Sequence, residues 1–218
     1  MSAMTQLISL FLHLDRHLSD LIAWAGGWSY VALFAVVFCE TGFVVTPFLP
    51  GDSFLFAAGS LAALGALNLP LLLITLFAAA FLGNEINYII GREIGLKLLE
   101  GPFKRWVDKR HIHKAEVFFA KHGVKAVVFA RFIPIVRTVV PFTAGISRMD
   151  PRRFTMYNAI GAAAWILIFT LGGYYFGNIP AVKENFTLVV LAIIVLSIIP
   201  PFVEWWRDRK ASDKIHKA

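Results

Sequence analysis

Four charged side chains lie in stretches of this chain that are otherwise as apolar as lipid, and they constrain the fold more than any other feature. Glu40 and Asp52 are the only acidic or basic residues between Leu21 and Leu82, and Arg131 and Arg137 sit in an apolar run from Ala126 to Ile146. An uncompensated charge at the bilayer centre costs roughly 3 kcal/mol, so four would cost about 12 kcal/mol. That is comparable to the ~5 to 15 kcal/mol that keeps a whole domain folded. Such residues need partners. Two acids and two bases in one membrane interior predict a polar site built from both halves of the chain.

Hydrophobic residues fill 58% of 218 positions and charged ones only 16%, well below a soluble domain's share of charge. The expectation is an all-α polytopic membrane protein forming one membrane domain over residues 1–218. The net charge of +7 is unevenly placed: 14 of the 21 Lys and Arg lie within Arg92 to Lys125 and Arg207 to Lys217. Clusters of this kind mark cytoplasmic loops facing anionic headgroups, and nucleic-acid binding is not expected. Cys39 is the single cysteine, so no internal disulfide and no oxidising compartment follow. The N-terminus lacks a basic segment leading into an apolar core and a small-residue cleavage site, and a removed signal peptide is not expected.

Along the chain, residues 4–22 place Leu7, Leu10, Phe11, Leu14, Leu18 and Leu21 on one helical face and His13, Arg16, His17 and Asp20 on the other. The expectation for residues 1–22 is an amphipathic helix lying on the membrane surface. About four transmembrane helices follow, at 21–39 (with Gly26 and Gly27 able to delay its start), 69–90, 154–176 and 186–206, each near the length that spans a ~30 Å hydrocarbon core. Residues 41–66 are apolar but interrupted by Gly42, Pro47, Pro50, Gly51, Gly59 and Gly65, so a straight helix is not expected there. Residues 91–125 form a basic segment and residues 207–218 a basic tail, both expected in the cytoplasm.

Counting crossings decides the remainder. If residues 126–147 crossed the membrane, Arg148, Arg152 and Arg153 would lie outside, and two further crossings would leave the tail outside too. A segment that dips in and returns keeps all three basic clusters inside. Pro134 and Pro141 agree with a re-entrant loop, because proline removes a backbone donor and breaks helices, and broken backbone at membrane depth is tolerated only where protein or water satisfies it. The same logic makes residues 41–66 a second re-entrant loop, entered from the opposite face. Phe56-Ala-Ala-Gly59 in the first recurs as Phe142-Thr-Ala-Gly145 in the second. Two opposed re-entrant hairpins forming an inverted repeat follow the plan of secondary transporters, whose substrate site lies between broken helices.

Phe38-Cys-Glu40-Thr-Gly42, Pro50-Gly51-Asp52-Ser53, Tyr88-Ile-Ile-Gly91-Arg92-Glu-Ile-Gly95 and, above all, Ala130-Arg131-Phe-Ile-Pro134-Ile-Val-Arg137-Thr138-Val-Val-Pro141-Phe-Thr-Ala-Gly145 resemble the DedA (VTT, SNARE-associated-type) family of bacterial inner-membrane proteins, whose eukaryotic relatives act as lipid scramblases. The resemblance covers roughly residues 20–206. It implies a multi-pass protein of the bacterial cytoplasmic membrane with a cytoplasmic C-terminus, dependent on the embedded charges Glu40, Asp52, Arg131 and Arg137. It also implies links to proton-motive force, envelope integrity and translocation of lipid phosphates such as undecaprenyl phosphate. Asn84-Glu85 stands where many members carry Gly-Asp, which leaves the role of an acid at that point open.

The residues support a chemistry beside the resemblance. A guanidinium keeps its charge and binds phosphate oxygens bidentately, so Arg131 and Arg137 suit an anionic lipid headgroup. Carboxylates can be neutralised: burial favours the protonated form and a neighbouring arginine the ionised one. A phosphate that draws an arginine away from Glu40 or Asp52 would make that acid take up a proton. The expected function is proton-coupled flipping of a lipid phosphate, with protons at Glu40 and Asp52 and phosphate at Arg131 and Arg137. Pro50, Gly51, Pro134, Thr138, Pro141 and Gly145 are expected to shape and support the loops. The other readings are a structural ion-pair network, a proton-coupled exporter of small molecules or drugs, and a non-transporting envelope scaffold.

An enzyme is not expected, since no histidine falls in a spanning or re-entrant segment and no Gly-x-Ser-x-Gly elbow is present. His13 and His17 have a metal-like i, i+4 spacing but no third ligand, and His111 and His113 lie in the basic loop, so neither metal nor cofactor is expected. Gly91 and Gly95 are spaced for close helix packing. Asn185-Phe-Thr187 is read as a chance glycosylation match. Expected partners are the anionic lipid phosphate, protons and membrane lipids, with homo-oligomerisation left open.

Overall fold

A computed structural model describes residues 25–42, 51–100 and 123–184, with side chains described for all of these but 96–100, 134, 135, 183 and 184. The stretches expected to form a surface helix at 1–22 and a last span at 186–206, the tail at 207–218, residues 101–122 of the basic segment, Pro50 and all four histidines named above lie outside them. Every element among the described residues is helical. In chain order they are α1 (Trp28–Gly42), α2 (Gly51–Ala63), α3 (Leu69–Glu100), α4 (Ala126–Phe129), α5 (Pro134–Ile146), α6 (Pro151–Ile166), α7 (Gly172–Gly177) and α8 (Pro180–Glu184), with a π turn at Leu167–Leu171.

Among the described residues, two stretches are long and apolar enough to cross a membrane, Leu69–Gly95 and Pro151–Gly177. The second closely matches the expected 154–176. The first runs past its expected end at Ile90, because Gly91-Arg92-Glu-Ile-Gly95 holds no proline and keeps small residues facing a neighbour; helix α3 continues to Glu100. Helix α1 begins after the Gly26-Gly27 turn, as the glycines suggested. At 15 residues it rises about 22 Å, short of the ~30 Å core, and it carries Glu40 inside its last turn rather than beyond its end.

The chain divides into two compact units. In the larger, made here of α1, α3, α4, α5 and α6, the long helix α3 packs against α1, α5 and α6. Its core gathers Tyr88, Val127, Ala130, Val139, Val140, Phe142 and Phe154, with the Tyr88 and Phe154 rings stacked at 4.2 Å between centroids. In the smaller unit, α2 packs against α7.

Residues 126–147 are interrupted, as expected, but at one point only. A short α4 tightens into a 3-10 turn at Ala130–Phe132, and Ile133 is extended (φ −121°, ψ 108°) before Pro134 starts α5. The residue before a proline is pushed out of helical space and proline itself suits a first helical position. The second expected break does not occur. Helix α5 runs straight through Pro141, so Pro141 leaves one carbonyl without its helical donor and does not end the helix. The helix ends at a left-handed residue, Arg148 (φ 50°), whose amide reaches Gly145 O while Met149 N reaches Ala144 O. This is the C-terminal capping geometry usually given to glycine. Asp150 then caps α6 by accepting from Arg153 N at 3.0 Å, with Pro151 in the first turn.

The repeated Phe-x-x-Gly tetrapeptides have the same packing role in each unit. A Cβ on Gly145 would stand 2.2 Å from Tyr88 O, and one on Gly91 would stand 2.2 Å from Phe142 O. In the smaller unit, a Cβ on Gly59 would stand 2.0 Å from Thr170 O, and one on Gly173 would stand 2.0 Å from Phe56 O. Each is a reciprocal glycine-to-backbone crossing of two helices, the close approach that small residues allow. Gly145, expected to shape a loop, instead lets α5 lie against α3. Gly95 adds to the same seam against Ile146.

Candidate functional site

Three of the four charges picked out from the sequence meet inside the larger unit. The extended break at Ile133 separates Arg131, in the 3-10 turn, from Arg137, in the first turn of α5. Both guanidiniums and the carboxylate from the end of α1 are buried, at 2%, 6% and 1% exposure for Arg131, Arg137 and Glu40. Arg137 Nη2 donates to Glu40 Oε1 in an ion pair. Its guanidinium also lies over the Trp165 ring, 5.1 Å from the centroid, a favourable cation–π position in a desolvated place.

Arg131 has different partners. Its Nη2 donates to Ala80 O at 3.2 Å and to Asn158 Oδ1, and its buried Nε has no hydrogen-bond acceptor among the described residues. Asn158 passes the connection on: its Nδ2 donates to Glu85 Oε1 at 2.9 Å and to Phe81 O at 3.0 Å, and Thr155 Oγ1 donates to Glu85 Oε2 at 3.2 Å. Arg131 also lies within electrostatic reach of both Arg137 and Glu85.

Helix α6 supplies one continuous wall. Thr155, Asn158, Gly161 and Trp165 recur at helical spacing and so share a face. A Cβ on Gly161 would come within 3.1 Å of Arg131 Cδ and 3.2 Å of its Nε, so this glycine leaves room for the arginine stem. Asn87 ties the wall opposite. Its Nδ2 donates to Thr41 O at 3.3 Å and Thr138 O at 2.8 Å, the residues that directly follow Glu40 and Arg137 in the chain. The two backbones that present the ion pair are thus held by one amide. Thr138 contributes here through its carbonyl.

Asp52 belongs to the smaller unit, half-buried in the first turn of α2, where a carboxylate is favoured by the helix dipole. Gly51 starts that helix and is buried. The residues missed from the sequence are Glu85, Asn87, Asn158, Gly161 and Trp165. Glu85 and Asn87 lie near the end of the span expected at 69–90, but the longer α3 puts them mid-helix. Asn158 and Trp165 carry no charge and sit singly in an apolar span, and periodicity alone gives them no partner. Among the described residues, no group of three or more His, Cys, Asp and Glu is placed to hold a metal ion.

A VTT domain is matched over residues 49–175. The chain is 46% identical over 213 residues to Protein DedA of Escherichia coli K12, covering 97% of each. This chain belongs to the DedA family. It is therefore a VTT-domain membrane protein. It is also similar to the uncharacterized membrane protein Rv0364 of Mycobacterium tuberculosis H37Rv, at 38% identity over 81% of this chain and 78% of that one. Inner membrane protein YghB of E. coli K12 is 37% identical over 78% of this chain and 77% of its own. No solved structure matches this DedA-family chain.

Proposed function

We propose that this chain resides in the bacterial inner membrane and moves a phosphate-bearing lipid across it, undecaprenyl phosphate or a phospholipid, coupled to proton binding. The observation that carries this reading is the pair of buried guanidiniums flanking a break in the helix, one of them held by a carboxylate that can be neutralised. Two fixed positive charges in an apolar interior attract a phosphate and repel a cationic solute. When the phosphate takes Arg137, Glu40 loses its counter-charge in a place where water is scarce, and protonation is then the cheaper state. Release of the headgroup restores the ion pair and expels the proton. Asp52 serves as the second proton site. Both guanidiniums are buried, so headgroup entry requires the Glu40–Arg137 pair to part.

The topology that goes with this function has residues 41–66 and 126–147 as opposed re-entrant loops and the C-terminus in the cytoplasm. Relatives YghB and YqjA, the latter 34% identical over 173 residues, are inner membrane proteins by name, which supports the location.

Reconstitution tests it. Purified protein in proteoliposomes should move a labelled lipid phosphate faster when a pH gradient is imposed. Arg131→Lys and Arg137→Lys retain charge but lose the planar fork, and they should impair transport far more than thermal stability. Normal translocation by both variants would exclude a phosphate clamp. A proton gradient dissipated by an amphiphilic cation, and not by lipid phosphate, would favour an exporter of small molecules.

A further inference from the structure

We infer that Glu85 is the counter-ion of Arg131, acting through Asn158, and that it sets how tightly this guanidinium holds an anionic headgroup; the second half rests on the phosphate-carrier reading above. The relay has a fixed polarity. An ionised carboxylate only accepts hydrogen bonds, so Glu85 Oε1 draws the Nδ2 of Asn158 toward itself at 2.9 Å. That leaves Oδ1 of the same amide facing Arg131 Nη2. Thr155 Oγ1, one turn earlier on α6, donates to the other carboxylate oxygen at 3.2 Å and holds the acid in place. Arg137 has its acid in direct contact, whereas Arg131 has a carbonyl, an amide and then an acid. The second guanidinium is therefore the less completely neutralised of the two. Its Nε, without an acceptor among the described residues, adds a donor on the edge nearest Gly161.

Two acid–base couples follow, one direct and one relayed. Glu85 is a positioning residue: it acts on the headgroup only through the amide and the guanidinium. Its charge opposes phosphate binding at Arg131, because it competes for the same positive field. Removing that charge while keeping the shape should tighten phosphate binding. A merely structural role would weaken it.

The experiment uses the full chain, with a short-chain phosphatidic acid as probe. Glu85→Gln should lower KM for phosphatidic acid about tenfold, the effect of one opposite charge acting through an intervening group, while kcat falls because release slows. Glu85→Asp, which restores the charge, should return KM toward the unaltered value. A second measurement needs no transport: a thermal-unfolding cycle of Glu85→Gln and Arg131→Gln in detergent. The Tm loss from Glu85→Gln should shrink markedly when Arg131 is already replaced. Additive losses, or a KM that rises or stays unchanged in Glu85→Gln, overturn the inference and leave the carrier reading intact. If the unaltered chain neither binds nor moves phosphatidic acid or undecaprenyl phosphate while the cycle remains non-additive, the carrier reading fails and the counter-ion assignment stands.

Discussion

At the residue scale, the Glu40–Arg137 pair is the feature whose energetics and function can be separated. Removing one member leaves an uncompensated charge among apolar side chains and is expected to destabilise by about 3–5 kcal/mol. Thermal unfolding of Glu40→Leu and Arg137→Leu should show that loss in each single variant. Replacing both with leucine removes the orphaned charge, and stability should recover by well over half. Lipid-phosphate transport should be lost in all three. A double variant that transports normally would show that the pair only fixes packing. The four charges were legible because a charge in an apolar run is conspicuous. Their partners were not: Trp165 under Arg137 and Asn158 against Arg131 are ordinary residues until folding brings them there.

At the scale of the element, α3 and α5 approach through glycine. A methyl group at Gly145 would meet Tyr88 O at 2.2 Å and Arg92 N at 2.7 Å, both backbone atoms that cannot turn aside. Gly145→Ala should therefore force the helices apart and destabilise by about 1–3 kcal/mol, read as a lower Tm. It should also reduce transport, since α5 carries Arg137. Arg148 gives the opposite sign. It holds a left-handed conformation at φ 50°, which costs a side-chain-bearing residue roughly 1–2 kcal/mol. Arg148→Gly should raise stability by about 1 kcal/mol, measurable in the same melts. The break before Pro134 could be read from the chain because proline restricts its predecessor locally. The passage of α5 through Pro141 could not, because whether a helix tolerates an internal proline depends on what packs around it. Neither could the extra turns of α3, whose glycines stay helical because Phe142 and Ile146 lie against them.

At the scale of the whole molecule, the basic clusters make a prediction about sidedness. With Cys39 replaced by serine, single cysteines at Arg152 and Lys210 should both react with an impermeant thiol reagent only from the cytoplasmic face. Labelling of both only from the opposite, periplasmic face would mean that residues 126–147 cross the membrane, and the re-entrant topology would be wrong. The two units share one packing device, since Phe56 with Gly59 and Phe142 with Gly145 each hold a partner helix by backbone-to-glycine contact. The tetrapeptide that recurs in the sequence thus has the same packing role within each unit.

Sequence alone determined the class of protein, because lipid is selective: long apolar runs, clustered basic loops and a proline-led break have few other uses. It also determined which charges must be accounted for, since a buried charge is too costly to be incidental. The choice of partner belonged to the tertiary structure. Hydrogen bonds and ion pairs act over a few ångströms between residues 27 to 97 positions apart, a separation at which periodicity carries no information. Hence Glu40 could be matched to Arg137, and Arg131 to the amide of Asn158 and beyond it Glu85, only once the helices had been laid against one another.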